Sequence, residues 1–308
     1  VPIRPARASV VVAALAVASS LSLAACGSDS LESGGAKASS AAGSATAAAS
    51  QAVDQALADK VPAKIKQAGV LKVGSDASYA PNEFIGDDGK TVTGMDVDLF
   101  TAAAQKLGLK AEFQNAEFPS IILGVTSGKF DVGVSSFTIN ADRKQKVNMV
   151  QYFNAGTLWA VKKGNPKQVD PAKACGLKVG VQKGTVQIDD LTARSKKCTD
   201  AGQPAITQIV ETEQSKVTAD LSSGKVDAMA ADSPITNYAV KQTNGQLEKV
   251  GELYDSAPYG IVVPKDQQAL AEAIGGAFAA MEKSGDYKKV LEKWNNADGA
   301  VTAFPVNP

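Results

Sequence analysis

An internal echo restricts the fold more than any other feature of this chain. Ser127-Gly128-Lys129-Phe130-Asp131-Val132-Gly133-Val134-Ser135-Ser136 is answered by Ser223-Gly224-Lys225-Val226-Asp227-Ala228-Met229-Ala230-Ala231-Asp232. Each copy reads as a helix end, an SGK turn, an apolar residue, an aspartate and a short buried strand. Upstream, Leu71-Lys72-Val73-Gly74 returns as Leu177-Lys178-Val179-Gly180. The SGK copies are 96 residues apart and the LKVG copies 106, so each half carries the same order of elements. Short strands alternating with helical stretches predict an α/β fold made of two lobes of similar plan. Five residues beyond the shared aspartate the copies part: one has Ser136, the other Asp232.

In α/β folds, ligands collect beyond the carboxyl ends of the strands. The first copy places Ser135, Ser136, Thr138, Asn140 and Arg143 there. Hydroxyls with an arginine a few residues away suit a small carboxylate, which a guanidinium can hold through two parallel hydrogen bonds. A strand followed by an ordinary surface helix explains Arg143 equally well on spacing alone. Asp232 reads either as an anion in the matching place or as the cap of a helix that begins near Pro234. Lys183-Gly184-Thr185 leads from a strand into a helix over 186–194, whose first N–H groups would suit an anion.

Composition removes several classes. Lys plus Arg and Asp plus Glu each number 32, so no basic footprint points to nucleic acid. Histidine is absent, which takes away the usual general base and the commonest metal ligand. No motif points to a cofactor or a metal. The N-terminal stretch has Arg4 and Arg7, an apolar run from Ser9 to Leu23, and then Leu23-Ala24-Ala25-Cys26. This is the shape of a signal peptide over 1–25, and its end resembles the lipoprotein cleavage box, with Cys26 as the lipidated residue. Residues 26–50, dominated by Ser, Ala and Gly, read as a flexible tether. Cys175 and Cys198 then remain as an even pair outside the cytoplasm, which favours a disulfide over two free thiols.

The chain resembles the family 3 extracytoplasmic solute-binding proteins that serve ABC importers of polar amino acids. The resemblance rests on LKVGSDASYAP (71–81), GMDVDLFTAAAQKLG (94–108), SGKFDVGVSSFTINADR, VGVQKGT (179–185), SGKVDAMAAD (223–232) and SGDYKKVLEKW (284–294). It implies the type II periplasmic-binding-protein-like fold, two α/β lobes joined by two crossing strands. Lobe 1 would span 51–157 and 259–308, and lobe 2 would span 158–258. Gly156 and Gly260 are candidate pivots, with tight packing as the plainer reading.

The resemblance also assigns roles. Arg143, Thr138 and the helix start at Thr185 would take a ligand carboxylate, Asp232 an ammonium, and Ser136 further polar contacts. Tyr79 and Phe118 would flank the ligand, and Asp76 would meet a basic side chain. Core packing is the rival for the two aromatics, and a loop or cap role for Asp76. The expected partners are a free amino acid, the permease and ATPase subunits, and the outer face of the cell membrane through lipid on Cys26; the protein would be a monomer. Pro81-Asn82-Glu83-Phe84 departs from the family's Pro-Phe, which leaves a basic or neutral polar ligand open. The rivals are a cyclohexadienyl-type dehydratase, with Glu83 as the unexplained acid, and a binder of an amino-acid-like solute outside the protein alphabet. Residues 297–308 show no period and read as a loose tail or edge.

Overall fold

The computed structural model describes residues 52–308; the expected signal peptide, the tether and Cys26 lie outside the described residues. After helices α1 (Gln55–Ala58) and α2 (Ala63–Ala68), separated at Pro62, the first half runs β1 (Val70–Ser75), β2 (Ser78–Tyr79), β3 (Glu83–Ile85), β4 (Val92–Thr93) and α3 (Met95–Lys106). It continues through β5 (Lys110–Asn115), α4 (Phe118–Thr126), β6 (Val132–Gly133) and α5 (Ala141–Lys146). A long strand, β7 (Val147–Lys162), leads into the second half. There β8 (Lys178–Gln182), α6 (Val186–Asp200), β9 (Thr207–Glu211), α7 (Gln214–Ser223), β10 (Ala228–Asp232) and α8 (Ser233–Gln242) follow. A second long strand, β11 (Leu247–Pro264), returns to α9 (Gln268–Ser284) and α10 (Asp286–Lys293).

The main sheet has eight strands in the order β5-β1-β6-β11-β7-β10-β8-β9. Read outward from its centre, both ends have the same construction. In each lobe the first strand lies between the second and the third, and all three run parallel. The long strands β7 and β11 pair antiparallel along most of their length, from Leu247 opposite Lys162 to Pro264 opposite Val147, with register shifts around Tyr254 and Tyr259. They are the two crossing strands.

The sequence echo has a physical cause in this architecture. The Asp131 carboxylate accepts from Lys72 N–H at 2.8 Å, and Asp131 N–H donates to the Lys72 carbonyl at 2.9 Å. In lobe 2, Asp227 accepts from Lys178 N–H at 2.8 Å and donates to its carbonyl at 2.8 Å. The repeated aspartate therefore clips the third strand to the first at the same register in both lobes. The glycine of LKVG leaves room for the apolar residue after SGK. A Cβ on Gly74 would lie 2.5 Å from the Phe130 ring, and one on Gly180 would lie 3.1 Å from Val217 and 3.3 Å from Val226.

Apolar faces close on both sides of each half-sheet. Lobe 1 buries Leu71, Val73, Leu99, Phe100, Ile274 and Phe278 on one face and Ile121, Phe130 and Phe137 on the other. Lobe 2 buries Val179, Val181 and Leu191 on one face and Val217, Leu221 and Leu247 on the other. Cys175 and Cys198 are joined, tying the chain before β8 to the last turn of α6. That helix runs on to Asp200, six residues past the predicted end at 194. Gly156 and Gly260 sit at close approaches: a Cβ would lie 2.8 Å from the Tyr254 carbonyl and 2.8 Å from Ile139, respectively.

The C-terminal segment is not loose. Val301 and Phe304 are buried, Phe304 stacks on Phe278 at 5.6 Å, and Val306 bridges to Val150. Phe304 and Val301 in the core, together with hydrogen bonds from Gln151 N–H to the Pro305 carbonyl and from Asn307 N–H to the Met149 carbonyl, fix this stretch without any sequence period. Phe84, half-buried, packs between Tyr238 of α8 at 6.5 Å and Trp294, after α10, at 5.9 Å.

Candidate functional site

The loops after β1, β6, β8 and β10 converge at the carboxyl ends of their strands, where the two lobes face each other. They line a narrow pocket. All eight residues expected from the sequence line it: Asp76, Tyr79, Phe118, Ser136, Thr138 and Arg143 from lobe 1, and Thr185 and Asp232 from lobe 2. Ser135, Gln182, Val186 and Gln187 complete the wall. A site shared between two lobes at the strand ends follows from the topology, because strand order reverses beside β1 and beside β8.

Arg143 stands in the first half of the short helix α5, whose N-cap Asn140 accepts from Arg143 N–H at 2.9 Å. Its guanidinium lies 5.4 Å from the ring centres of Phe118 and Phe137, which stack on each other at 4.6 Å. One nitrogen donates to the Thr138 carbonyl at 2.7 Å, and the other reaches across the cleft to the Gly184 carbonyl at 3.2 Å. Both acceptors are neutral. Burial lowers the pKa of this arginine, while the Asp232 carboxylate opposes the shift. Asp232 begins α8 but its side chain does not cap that helix. The carboxylate instead accepts from the Tyr79 and Tyr259 hydroxyls at 2.8 and 2.7 Å and from Gln187 at 2.7 Å. Burial raises its pKa, and these three donors resist the rise.

Asp76 does serve as a local cap. It accepts from Ser78 N–H and from Phe118 N–H at the start of α4. It also accepts from Gln182 of the opposite lobe at 2.9 Å. Burial raises its pKa as well. The Ser136 hydroxyl turns away from its expected role: it donates to Asp96 at 3.1 Å and accepts from Asn82 at 2.8 Å. Ser136 adopts a left-handed backbone with φ of 51°, and its N–H also goes to Asp96. Thr185 precedes α6 and its hydroxyl donates to the Gln182 carbonyl, so it does not cap the helix, and the first residues of α6, Val186 and Gln187, line the pocket. The departing loop contributes nothing to the lining: Glu83 is fully buried behind it and Phe84 faces α8 and α10.

Gln182 escaped the sequence reading, although a signal was present. The offset that carries Leu71 to Leu177 carries Asp76 to Gln182, so the two hydrogen-bonded residues are the same position of the echo. The Gln182 amide nitrogen faces two acceptors, Asp76 and the Thr212 carbonyl, which fixes its orientation. Its carbonyl oxygen is buried with no donor.

Residues 71–297 match the model of the bacterial extracellular solute-binding proteins, family 3. The chain belongs to this family. Among family 3 relatives, the arginine-binding protein ArgT of Corynebacterium glutamicum is 35% identical over 249 residues, covering 80% of this chain and 81% of the relative. The L-cystine-binding protein TcyJ of Escherichia coli is 31% identical over 239 residues, covering 76% and 86%. Among solved structures, an ancestral arginine-binding protein bound to arginine superposes with a TM-score of 0.67 at 38% identity, over 73% of this chain and 98% of that one. The two-lobed arrangement described above is the architecture of the family.

Proposed function

We propose that this protein is the ligand-capturing lipoprotein of an ABC importer and that it takes a free amino acid with a hydrogen-bond-donating, preferably cationic, side chain. One observation carries the reading: Arg143 and Asp232, opposite in charge and on opposite lobes, line the same cavity. A zwitterion has a carboxylate for the guanidinium and the start of α6, and an ammonium for Asp232. Tyr79 and Phe118 flank the space between them. The side chain runs toward Asp76 and Gln182, where a carboxylate and an unpaired amide oxygen both ask for donors. Each end of the ligand is held by a different lobe, so the closed form has the differential affinity that shifts an open–closed equilibrium.

The rest of the reading follows from this role. Lobe 1 comprises 51–157 and 259–308, and lobe 2 comprises 158–258. Cys26 carries the lipid, residues 26–50 tether the lobes to the outer face of the membrane, and permease and ATPase subunits receive the closed monomer. A dehydratase would need a general acid in the cavity. Glu83, the residue proposed for that task, is not in its wall, and the two acids that are, Asp76 and Asp232, each already accept three hydrogen bonds from the protein, so we read the protein as a binder without turnover.

A thermal-shift screen against the twenty amino acids tests the proposal. A ligand at a hundred times its dissociation constant adds about 2.7 kcal/mol. L-Arginine is expected to give a large shift that Arg143→Ala abolishes. No shift with any amino acid would defeat the reading, and an equal shift with L-norleucine would defeat the side-chain assignment alone.

A further inference from the structure

Behind the serine wall of the cavity lies a pair of acids with no counter-charge. Glu83, on β3, and Asp96, in the first turn of α3, are both completely buried. Their oxygens can be accounted for one by one. Glu83 Oε1 accepts from the Ser135 hydroxyl at 3.0 Å. Asp96 Oδ2 accepts from Ser136 N–H, from the Ser136 hydroxyl and from the Tyr152 hydroxyl. Glu83 Oε2 and Asp96 Oδ1 are buried with no hydrogen-bond partner, and the two residues are neighbours, since Asp96 N–H donates to the carbonyl of Asn82, the residue before Glu83, at 2.9 Å. Two buried neighbouring carboxylates with no cation beside them repel each other; a proton on one removes that repulsion and lets the two partnerless oxygens satisfy each other.

We propose that Glu83 and Asp96 share a single proton, carried by Glu83 Oε2 and directed at Asp96 Oδ1, and that this acid pair positions Ser135, Ser136 and Asp76 in the cavity wall. The placement of the proton follows from the surroundings. Asp96 sits at the positive end of a twelve-residue helix and accepts three hydrogen bonds, which favours its anion. Glu83 has one donor and no helix end, and burial with the neighbouring Asp96 charge pushes its pKa well above the ordinary glutamate range. The consequence reaches the ligand space in two steps. Glu83 orients the Ser135 hydroxyl, and the Ser135 oxygen in turn accepts from Asp76 N–H at 3.0 Å. The other titratable groups facing the pair are Asp76 from the loop after β1, Tyr79 from β2 and Tyr152 from β7; ionising Glu83 would set three negative charges together.

The sign with pH is definite. Between the ordinary glutamate pKa and its raised folded value, the folded chain holds a proton that the unfolded chain has released. Stability contributed by the pair is therefore full in acid and is lost as pH rises through that window. Carboxyl-carbon NMR on the full chain labelled at glutamate side chains tests this without any ligand. One glutamate carboxyl is expected to keep the protonated shift at neutral pH and to disappear in Glu83→Gln. If every glutamate titrates in the ordinary range, the proposal is overturned. Unfolding temperature followed from about pH 5 to about pH 9 gives the second readout. The wild type should lose stability across that range, and Glu83→Gln should lose clearly less. Gln can donate to Asp96 and accept from Ser135, so it should also recover L-arginine affinity that Glu83→Ala loses by about tenfold. Equal losses in the Gln and Ala variants would show that an ionised carboxylate is required and would overturn the pair.

Discussion

The two lobes share a frame and differ in what they hang on it. In both, LKVG forms the central strand, SGK ends the second helix, and an aspartate clips the third strand to the first. Past that clip, lobe 1 turns left-handed at Ser136 and gives its polar groups to a buried acid network, leaving Arg143 to face the cavity. Lobe 2 passes straight into α8 at Asp232, whose carboxylate is ringed by two tyrosines and a glutamine. One backbone plan thus presents a cation on one side and an anion on the other. The lesson is that the repeated residues carry the fold and the unrepeated ones carry the chemistry.

Substitutions at equivalent positions can break or sharpen this comparison. The largest contrast is expected at the echoed pair Ser136 and Asp232. Asp232→Ala leaves three buried donors unpaired and removes the partner of a ligand ammonium, so calorimetry should show L-arginine affinity reduced on the order of a hundredfold or more. Ser136→Ala keeps its N–H on Asp96 and should cost less than about tenfold; equal losses would undo the assignment of the anion to lobe 2. Next is the disulfide, which only lobe 2 has among the described residues. Replacing both cysteines by serine should lower stability by about 3 kcal/mol, measured by denaturant unfolding, with hydrogen exchange accelerated first around α6. The strand glycines come third. Gly74→Ala drives a Cβ into the Phe130 ring and should cost about 1–3 kcal/mol, whereas at Gly180 the neighbours need to give by only a few tenths of an ångström and the cost should stay below about 1 kcal/mol. The smallest effect belongs to the clips: Asp131→Ala and Asp227→Ala should each cost about 1 kcal/mol, and equally. A clear inequality would mean that the echo is not mechanically equivalent.

These contrasts also mark what the sequence could reveal. The two lobes, their shared order of elements and the facing of Arg143 and Asp232 were legible because repetition fixes a frame and strand ends fix where it opens. Gln182 was legible in principle, as the echo of Asp76, but a lone glutamine has no pattern of its own. Tyr259 could not be found, because it reaches Asp232 only through the register of β11. The buried direction of Ser136 was hidden for a similar reason: it depends on Asp96 and Tyr152, which arrive from a helix and a crossing strand. The anchored C-terminal segment depends on Phe304 meeting Phe278 and Tyr287, a contact without local periodicity.

The position of Phe84 has a spectroscopic consequence. The chain has two tryptophans. Trp159 is sealed inside lobe 2 with its indole N–H on Tyr254, so its emission should be indifferent to motion between the halves. Trp294 shares the Phe84 ring with Tyr238, which belongs to the other half. Separating the halves would strip one neighbour from that ring and let solvent approach the indole beside it. The protein therefore contains its own optical gauge and internal reference, a silent emitter and a responsive one, readable without attaching a dye.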